Sequence, residues 1–581
     1  MDQAAQIREK IDIVSLISEY IPLKKMGRNF TANCPFHNEN TPSFVVSPER
    51  QIWHCFGCGK GGDAYTFLME YENMEFFEAL QALAKKTGVA LKNTGTSFAT
   101  DKKQTIYSLN KLAAEYYNYV LIKHSVGKRA LVYLDEERGL NEKLINTYKI
   151  GFSPGSGEAL SRYLINKKKY KANELIDAGL SIQRGDRIID FFRGRLMFPL
   201  IDHRGNIVGF SGRSIADEDS GPKYINTKDT LVYHKGSMFF GLNIAKEEIK
   251  KEEFSVVMEG EFDVITAFKE GIANAVALKG TAFTENQALL LSRFAPKVAM
   301  CLDKDSAGLM ALKRSIPILE KRGLFITVVD YPEKDPDESI KKSPLEFKKA
   351  IKGQVEVYEY LLELLISEND IETASGKKRI TDEMLPLISV INNEIIKEHY
   401  LKKLSEKINI SFDSLLKQID KKAEFVEEKI IVKKQKGSRR EILEEYLLAL
   451  ILQNGNPKEM LIKSNDFLTN YKFEIPAIEK IFKELMSVIN AKKFDIKIIS
   501  KNLASELLAI FDKCFLMPLP KFESVQIYEE EIIRVMKEIK LIFLKEEISK
   551  LSRSAKDEKS DEKIEKIREE ISLLTSSSPK I

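Results

Sequence analysis

Cys34-Pro35-Phe36-His37 and Cys55-Phe56-Gly57-Cys58 are two short ligand pairs, C-x₂-H and C-x₂-C, with 17 residues between them. Thiolate and imidazole are the groups that Zn²⁺ prefers in closed tetrahedral sites. Each pair can hold the ion from one turn while the intervening residues return as a hairpin. Three of the five cysteines of the chain lie here. The sequence therefore predicts one structural zinc ion bound by Cys34, His37, Cys55 and Cys58, which would contribute roughly 10–16 kcal/mol to folding.

A disulfide in a secreted protein is the alternative, and the sequence argues against it. Charged residues interrupt the start of the chain, namely Asp2, Arg8, Glu9, Lys10 and Asp12, so no apolar signal segment is expected. An odd number of cysteines in a large chain fits a reducing cytoplasm. His54 breaks the ligand spacing and is expected not to bind the metal. Cys301 and Cys514 lie in apolar runs and are expected to be small core residues.

Length and composition indicate a soluble protein of several domains. A chain of 581 residues corresponds to about four domains. Its 43% hydrophobic and 30% charged residues are typical of globular proteins, and no uncharged apolar stretch is long enough to span a membrane. The 90 basic and 86 acidic residues leave a net charge of +4. This balance neither proves nor excludes nucleic-acid binding, so any basic groove must be local.

The pattern along the chain predicts a multidomain α+β protein. We expect a zinc-ribbon domain at 1–92, a linker at 93–105, an α/β core at 106–420 whose segment 338–420 is helical, a second linker at 421–439, and an all-α domain at 440–581. Expected helices include Gln6 to Ser18, the run from Asp63 to Thr87, Glu441 to Leu452, Ile527 to Ile548, and one long exposed helix from Lys550 to Leu574.

Four apolar runs inside the core alternate with helical stretches. They are Phe254–Met258, Asn274–Leu278, Val298–Leu302 and Phe325–Val329. Continuous apolar strands separated by helices are typical of a parallel sheet covered by helices on its faces. The core is therefore predicted to contain such a sheet.

Acidic residues follow three of these strands: Glu259, Glu261 and Asp263, then Asp303 and Asp305, then Glu333, Asp335 and Asp337. Ligands gather at the carboxyl ends of strands in α/β sheets. Carboxylates that converge there would repel one another unless cations lay between them, and Mg²⁺ or Mn²⁺ suits oxygen ligands of this kind. Two such ions are common in nucleotidyl transfer. The alternative is that these acids are solvated loop residues and helix N-caps.

These motifs resemble a known family. The acidic series resembles the Toprim module, which would span about 253–335. The zinc pairs, together with Asn38 to Phe44 and Lys60 to Asp63, resemble those of bacterial DNA primases. Further similar motifs lie between them in the same order: Arg193-Gly194-Arg195-Leu196-Met197-Phe198-Pro199, Gly209-Phe210-Ser211-Gly212-Arg213, Lys223-Tyr224-Ile225-Asn226-Thr227 and His234-Lys235-Gly236. The resemblance covers residues 1 to about 420 and is weak beyond them.

The resemblance implies roles for particular residues. Glu259, Asp303 and Asp305 would form the catalytic metal cluster, and Asp263, Asp335 and Asp337 would extend it. The basic residues Arg213, Lys223 and Lys235 would line a groove for template, primer or nucleoside triphosphate. Glu259 would be either a metal ligand or a general base. Near the zinc, Trp53 and Phe56 would either stack on bases or, as we expect, pack the small core.

Three residues depart from the family pattern. Glu261 stands where an aromatic residue is usual, Lys304 replaces a glycine between the two aspartates, and Lys279 replaces an apolar residue before Gly280. Lys304 would either offset the acidic field and touch a substrate phosphate or, as the two-residue period of a strand predicts, point away. None of the three removes a metal ligand.

The implied activity is that of a nucleotidyltransferase, a DNA-directed RNA polymerase that makes short RNA primers on single-stranded DNA at the replication fork in the cytoplasm. A topoisomerase or nuclease would also use a Toprim module, but no tyrosine is marked as a nucleophile by its context. A non-catalytic single-strand-binding adaptor would leave the strand-end acids unexplained.

Partners follow from the same resemblance. The chain contains no G-x-x-x-x-G-K-[ST] phosphate loop, so unwinding is expected from a replicative hexameric helicase that binds residues 440–581. Single-strand-binding protein is a further partner that the family suggests, and a monomer without membrane contact is expected.

Overall fold

The computed structural model describes residues 3–37, 39, 41–72, 74, 76–90, 98–215, 222–280, 282–427, 438–490, 494, 496, 503–520, 522–553 and 558–576. Two compact units form, one from residues 1–92 and 432–581 and the other from residues 93–431. Among the described residues, none of the helices combines the length and the apolar character that crossing a membrane requires.

The first 92 residues form a small antiparallel sheet with four helices. The strands are Lys24–Met26 (β1), Asn29–Ala32 (β2), Phe44–Ser47 (β3), Ile52–Cys55 (β4) and Gly61–Gly62 (β5), paired in that order. The helices are Gln3–Lys10 (α1), Ile13–Ser18 (α2), Ala64–Glu72 (α3) and Phe76–Thr87 (α4). The single helix expected over Gln6 to Ser18 is therefore wrong. The segment is divided into α1 and α2 because Asp12 begins a new helix: its side chain caps α2 by accepting the Ser15 N–H at 2.7 Å.

The second unit begins with a long helix and a four-stranded antiparallel sheet. Its helices are Phe98–Lys123 (α5), Lys128–Val132 (α6), Glu142–Thr147 (α7), Ala159–Arg162 (α8) and Ala172–Asp177 (α9). The strands Gly151–Ser153 (β6), Arg195–Ile201 (β9), Ile207–Ser214 (β10) and Tyr224–Asn226 (β11) pair in the order β11-β10-β9-β6, and Ser181–Arg184 (β7) pairs with Arg187–Asp190 (β8). Helix α5 corrects the linker expected at 93–105, because residues 98–105 are helical. Residues 93–97 lie outside the described part of the chain.

A six-stranded sheet follows, in the order β12-β14-β13-β15-β16-β17. Its strands are Phe239–Phe240 (β12), Phe254–Met258 (β13), Ala275–Leu278 (β14), Lys297–Met300 (β15), Phe325–Val328 (β16) and Val355–Glu356 (β17). The four middle strands are parallel, which confirms the predicted sheet, and the two edge strands are antiparallel. Leu242–Glu252 (α10), Glu261–Lys269 (α11), Glu285–Ser292 (α12), Ser306–Lys321 (α13), Pro336–Lys342 (α14) and Pro344–Lys352 (α15) connect or flank them.

The remaining helices are the predicted all-α segments. Val357–Glu368 (α16), Ala374–Ser389 (α17), Glu394–Ile408 (α18) and Phe412–Glu427 (α19) complete the second unit. The expected linker at 421–439 begins within α19, and residues 428–437 lie outside the described part. The first unit resumes with Arg439–Gln453 (α20), Pro457–Phe467 (α21), Pro476–Ser487 (α22), Ser505–Leu516 (α23), Val525–Arg553 (α24) and Glu558–Ser576 (α25). The single helix expected over Lys550 to Leu574 falls instead on the last turn of α24 and on most of α25.

Candidate active site and zinc centre

The four predicted zinc ligands meet in the first unit. Their ligand atoms all lie within 4.8 Å of one another, with Cys34 Sγ 3.9 Å from Cys58 Sγ and Cys55 Sγ 3.7 Å from His37 Nδ1. Two thiolates on one tetrahedral Zn²⁺ lie about 3.8 Å apart, given Zn–S bonds of about 2.3 Å. The donors therefore fit a structural zinc ion.

Glu39 is a supporting residue that sequence reasoning missed. Its carboxylate lies 3.1 Å from His37 Nε2 and accepts the N–H groups of Cys34 at 2.7 Å and Ser43 at 3.0 Å. A carboxylate on the far nitrogen of a metal-binding histidine fixes the ring and its tautomer. Gly57 is required beside it, since an added Cβ would overlap the His37 ring. In the sequence, the only signal for the role of Glu39 was that it lies two residues after the ligand His37.

Trp53 packs the core of the zinc module, as expected. It is 1% exposed, and its ring stacks on Phe44 with centroids 5.1 Å apart. Strand alternation places His54 on the opposite face of β4, and it is not in the ligand group. Phe56 is half-buried beside His54, with centroids 4.8 Å apart. Cys301 and Cys514 are buried, which agrees with their expected role as core residues.

In the second unit, strands β13 and β15 are parallel neighbours, so the acids that follow them meet at one edge of the sheet. Glu259 Oε1 accepts the N–H of Asp303 at 3.2 Å. Five of the six predicted metal-site acids line one cavity of about 430 Å³: Glu259, Asp263, Asp303, Asp335 and Asp337. Asp305 instead lines a neighbouring cavity, which Asp303 shares.

The acids perturb one another because they are close and partly buried. Burial, with the charges of Asp303 and Asp305, raises the pKa of Glu259. Burial, with the charges of Asp335 and Asp305, raises the pKa of Asp303. Burial raises the pKa of Asp263 to about 7, and Asp303, Asp337 and Asp335 add to the effect. Carboxylates that resist ionisation together are suited to sharing a divalent cation.

These acids are not equally free to bind metal. Asp337 accepts from Arg138 at 3.0 Å, Thr266 at 2.6 Å and Lys341 at 2.7 Å, which engages both of its oxygens. Asp305 and Asp335 accept the backbone N–H groups of Gly308 and Glu338 at 2.8 Å and so cap α13 and α14. The N-cap alternative is therefore correct for these two residues, and metal binding by them stays a prediction. Within the described ranges, only the zinc quartet brings three or more ligands to mutual distances of 4.8 Å.

The cavity is also lined by cations. Arg213, Lys223 and Lys235 all line it, together with Arg138, which sequence reasoning missed. The Arg213 and Arg138 guanidinium carbons each lie 4.6 Å from the centroid of the Phe262 ring. Arg195 holds the adjoining segment, donating to the carbonyls of Pro222 at 2.9 Å and Lys223 at 3.2 Å. A cavity lined by both acids and cations suits a substrate that carries phosphates and a metal ion.

Two of the three departures from the family pattern form one buried pair. The Lys279 ammonium donates to Glu261, and both side chains are at most 6% exposed. Although burial by itself would raise the pKa of Glu261, the Lys279 charge and the Ser211 hydroxyl lower it. The third departure, Lys304, does not line this cavity but lines the neighbouring one with Asp303 and Asp305. Its Nζ lies 2.6 Å from Asp330 and 5.1 Å from the centroid of the Tyr331 ring.

Four family models match successive parts of the chain. They are the CHC2 zinc finger at residues 1–99, the N-terminal domain of the DNA primase catalytic core at 116–246, the Toprim-like model at 256–340, and the DnaB-helicase binding domain of primase at 358–413. The last match covers α16 to α18 and precedes residues 440–581, where we expected helicase binding.

Relatives extend over most of the chain. A DNA primase of Halalkalibacterium halodurans is 36% identical over 418 residues, which cover 71% of this chain and 69% of that protein. A DNA primase of Aquifex aeolicus is 36% identical over 507 residues, which cover 83% and 95%. A crystal structure of the zinc-binding and RNA polymerase domains of the A. aeolicus primase aligns with a TM-score of 0.49 over 72% of this chain and 99% of that one, at 36% identity. Together with the zinc quartet and the strand-end acids, the four family-model matches and the two relatives place the chain in the bacterial DNA primase family.

Proposed function

We propose that this protein is a DNA primase, which synthesises short RNA primers de novo on single-stranded DNA for chromosome replication. The observation that carries the proposal is the cavity at the carboxyl edge of the parallel sheet. Glu259, Asp263 and Asp303 line it together with Arg213, Lys223 and Lys235. Membership of the bacterial DNA primase family independently supports the same activity.

Glu259, Asp303 and Asp305 would hold the divalent cations, with Asp263 and Asp335 within reach of the same edge. When bound, Mg²⁺ or Mn²⁺ would lower the pKa of the attacking 3′-hydroxyl and stabilise the departing pyrophosphate, as in two-metal nucleotidyl transfer. Glu259 is already oriented for this role by the Asp303 N–H that it accepts. Asp337 would act differently, since it positions Arg138 rather than offering a free oxygen.

The basic residues of the cavity, Arg213, Lys223 and Lys235, would bind the substrates. Lys223 and Lys235 are exposed and would contact the phosphates of template, primer or triphosphate, which gives salt-sensitive and weakly sequence-selective affinity. Arg213 is 6% exposed and its Nε has no hydrogen-bond partner. A buried guanidinium with an unused donor is well placed to take a phosphate oxygen.

A hexameric replicative helicase would supply unwinding. The match to the helicase-binding model at 358–413 supports this partner, and the assignment of helicase binding to residues 440–581 stays a prediction. The replication fork is the place where such a protein would act. Single-strand-binding protein as a partner and a monomeric state also stay predictions.

The test is incubation with unprimed single-stranded DNA, ribonucleoside triphosphates and Mg²⁺ or Mn²⁺. We expect short RNA from the natural protein and a loss of at least about 100-fold for Glu259→Gln and Asp303→Asn, because each removes charge stabilisation from the site. Glu247→Gln, an acid that is 72% exposed on α10, is the matched control and should keep full activity. Plasmid cleavage or relaxation without RNA synthesis would contradict the proposal.

A further inference from the structure

Both faces of the zinc module's central strands are buried. All four residues of β3, Phe44, Val45, Val46 and Ser47, are at most 2% exposed. Phe44 and Val46 belong to the module's own core, and strand alternation places Val45 and Ser47 on the opposite face. A small antiparallel sheet with one core leaves its second face in water. Something else must therefore cover this outer face.

Helix α23 (Ser505–Leu516) of the C-terminal domain is what covers it, since it packs against β3, β4 and β5. Arg50, on the turn between β3 and β4, forms an ion pair with Asp512, with Nη2 2.6 Å from Oδ1, although only 8% of the Arg50 side chain is exposed. The Arg50 guanidinium carbon also lies 4.9 Å from the centroid of the Phe511 ring and 5.1 Å from that of Phe515.

The contact extends to the hairpin at the edge of the sheet. Arg28, between β1 and β2, lies 4.8 Å from the centroid of the Phe515 ring. A desolvated arginine–carboxylate pair is stable only while both partners are present, and here two arginines also stack on the aromatic rings of one helix. The contact is thus specific in both charge and geometry.

The covered face has the chemistry of a nucleic-acid surface. Two arginines that can pair with phosphate and stack on flat rings recognise single strands, and the neighbouring Lys24 and Lys25 of β1 are exposed. Against these arginines α23 presents one carboxylate between two aromatic rings, Phe511 and Phe515. An anionic oxygen flanked by planar rings is the pattern that a phosphate between two bases offers.

We propose that α23 occupies a single-strand contact surface on the zinc module, so that the C-terminal domain holds this surface closed until it is released. Template strand and helix compete for Arg28 and Arg50. The inference rests on the proposed priming function for the identity of the competing strand, but the docking itself can be measured without any RNA synthesis.

The experiment uses the full chain and two readouts. Asp512→Arg places a cation against Arg50 and should undock α23, and Glu506→Arg, at an exposed position of the same helix, is the charge-matched control. Hydrogen exchange over residues 44–55 reports docking. Cross-linking of a 4-thiothymidine oligonucleotide, mapped to residues 24–55, reports access of the single strand.

We expect Asp512→Arg to increase both exchange and the cross-link yield, the latter about five- to tenfold, which is the factor for a surface that is free only 10–20% of the time. The swap Arg50→Asp with Asp512→Arg should restore slow exchange. If hydrogen exchange over residues 44–55 is no faster in Asp512→Arg than in the natural protein, the proposed docking of α23 is wrong. Faster exchange with a cross-link yield equal to that of Glu506→Arg overturns the competition. Failure of the priming function would appear separately, as absence of RNA from the natural protein.

Discussion

The buried pair of Glu261 and Lys279 shows how two residues that look unrelated in the sequence depend on each other. Each replaces an uncharged residue of the family pattern, and each would be an unpaired buried charge without the other. Their hydrogen bond joins the first turn of α11 to the residue that follows β14, and both residues line the candidate active-site cavity. The two departures are therefore best understood as one change that keeps the site's support intact.

We predict that Lys279→Met alone destabilises the second unit by roughly 3–5 kcal/mol, because Glu261 is then buried without a partner. The double variant Glu261→Leu with Lys279→Met should recover most of this loss, since an apolar pair of similar volume replaces the ion pair. Urea unfolding of both variants measures the difference. Additive losses in the double variant would refute the coupling.

Asp263 makes the stability of the fold depend on pH, and the sign of this dependence follows from its raised pKa of about 7. A carboxyl group that is harder to ionise when folded stabilises the fold at low pH, and this stability is lost as pH rises from about 4 to about 7. Without divalent cations in the cavity, the natural protein should therefore be less stable at pH 8 than Asp263→Asn, which keeps an acceptor for the Gly260 N–H. The difference between the two free energies of unfolding at pH 8 should be at most about 4 kcal/mol.

Scanning calorimetry at pH 4.5 and 8, in buffer free of Mg²⁺ and Mn²⁺ with the zinc retained, checks this sign. The two proteins should differ at the higher pH and converge at the lower one. Added Mg²⁺ should close the gap at pH 8 by binding the natural acid. A constant difference at both values would show that ionisation of Asp263 is not its cause.

At the scale of elements, the helices that follow the strands fix the acids that we predict to be catalytic. Asp305 and Asp335 each begin a helix as its N-cap, so the start of the helix fixes the position of the acid. Helix α13 then lies close against Asp303, with Gly308 buried in its first turn. An added Cβ at Gly308 would overlap the Asp303 carbonyl oxygen. The position of Asp303 therefore depends on a glycine five residues later.

We predict that Gly308→Ala lowers the rate of primer synthesis about 100-fold, because displacing a catalytic group by about 1 Å has an effect of that size. The fold should survive, since alanine favours the helix. Met310→Ala, at a position 50% exposed on the same helix, is the matched control and should leave the rate unchanged. A rate of Gly308→Ala within threefold of the natural one would contradict this account.

At the scale of the whole molecule, two helical segments compete for the role of helicase contact. Residues 358–413 match the helicase-binding model, whereas the family resemblance led us to expect residues 440–581. Each segment carries an exposed aliphatic side chain on its last helix: Ile395, 81% exposed on α18, and Leu573, 71% exposed on α25. Exposed apolar side chains of this kind are candidates for protein contacts.

Substitution of these two residues in the full chain distinguishes the segments. We predict that Ile395→Glu weakens binding to the hexameric helicase by about 10-fold or more, as loss of an apolar contact residue does, and that Leu573→Glu has little effect. Sedimentation or calorimetric titration with the helicase measures both affinities. The reverse result would return the helicase contact to residues 440–581.

The sequence by itself determined the features that depend on local spacing. The zinc quartet needs only two ligand pairs on two turns. The parallel sheet and its strand-end acids follow from apolar runs that alternate with helices, because the carboxyl ends of parallel strands share one edge. The order of the modules followed from their motifs. These features do not depend on how the rest of the chain is arranged.

The tertiary structure alone decided which side chains meet across long distances. Asp337 is engaged by Arg138, 199 positions away, so it is not a free ligand, and Asp305 lines a second cavity. Lys304 reaches Asp330, Lys279 reaches Glu261, and Arg50 reaches Asp512. No spacing rule predicts such pairs, because they depend on strand order and on helix packing, which bring together residues that the chain keeps far apart.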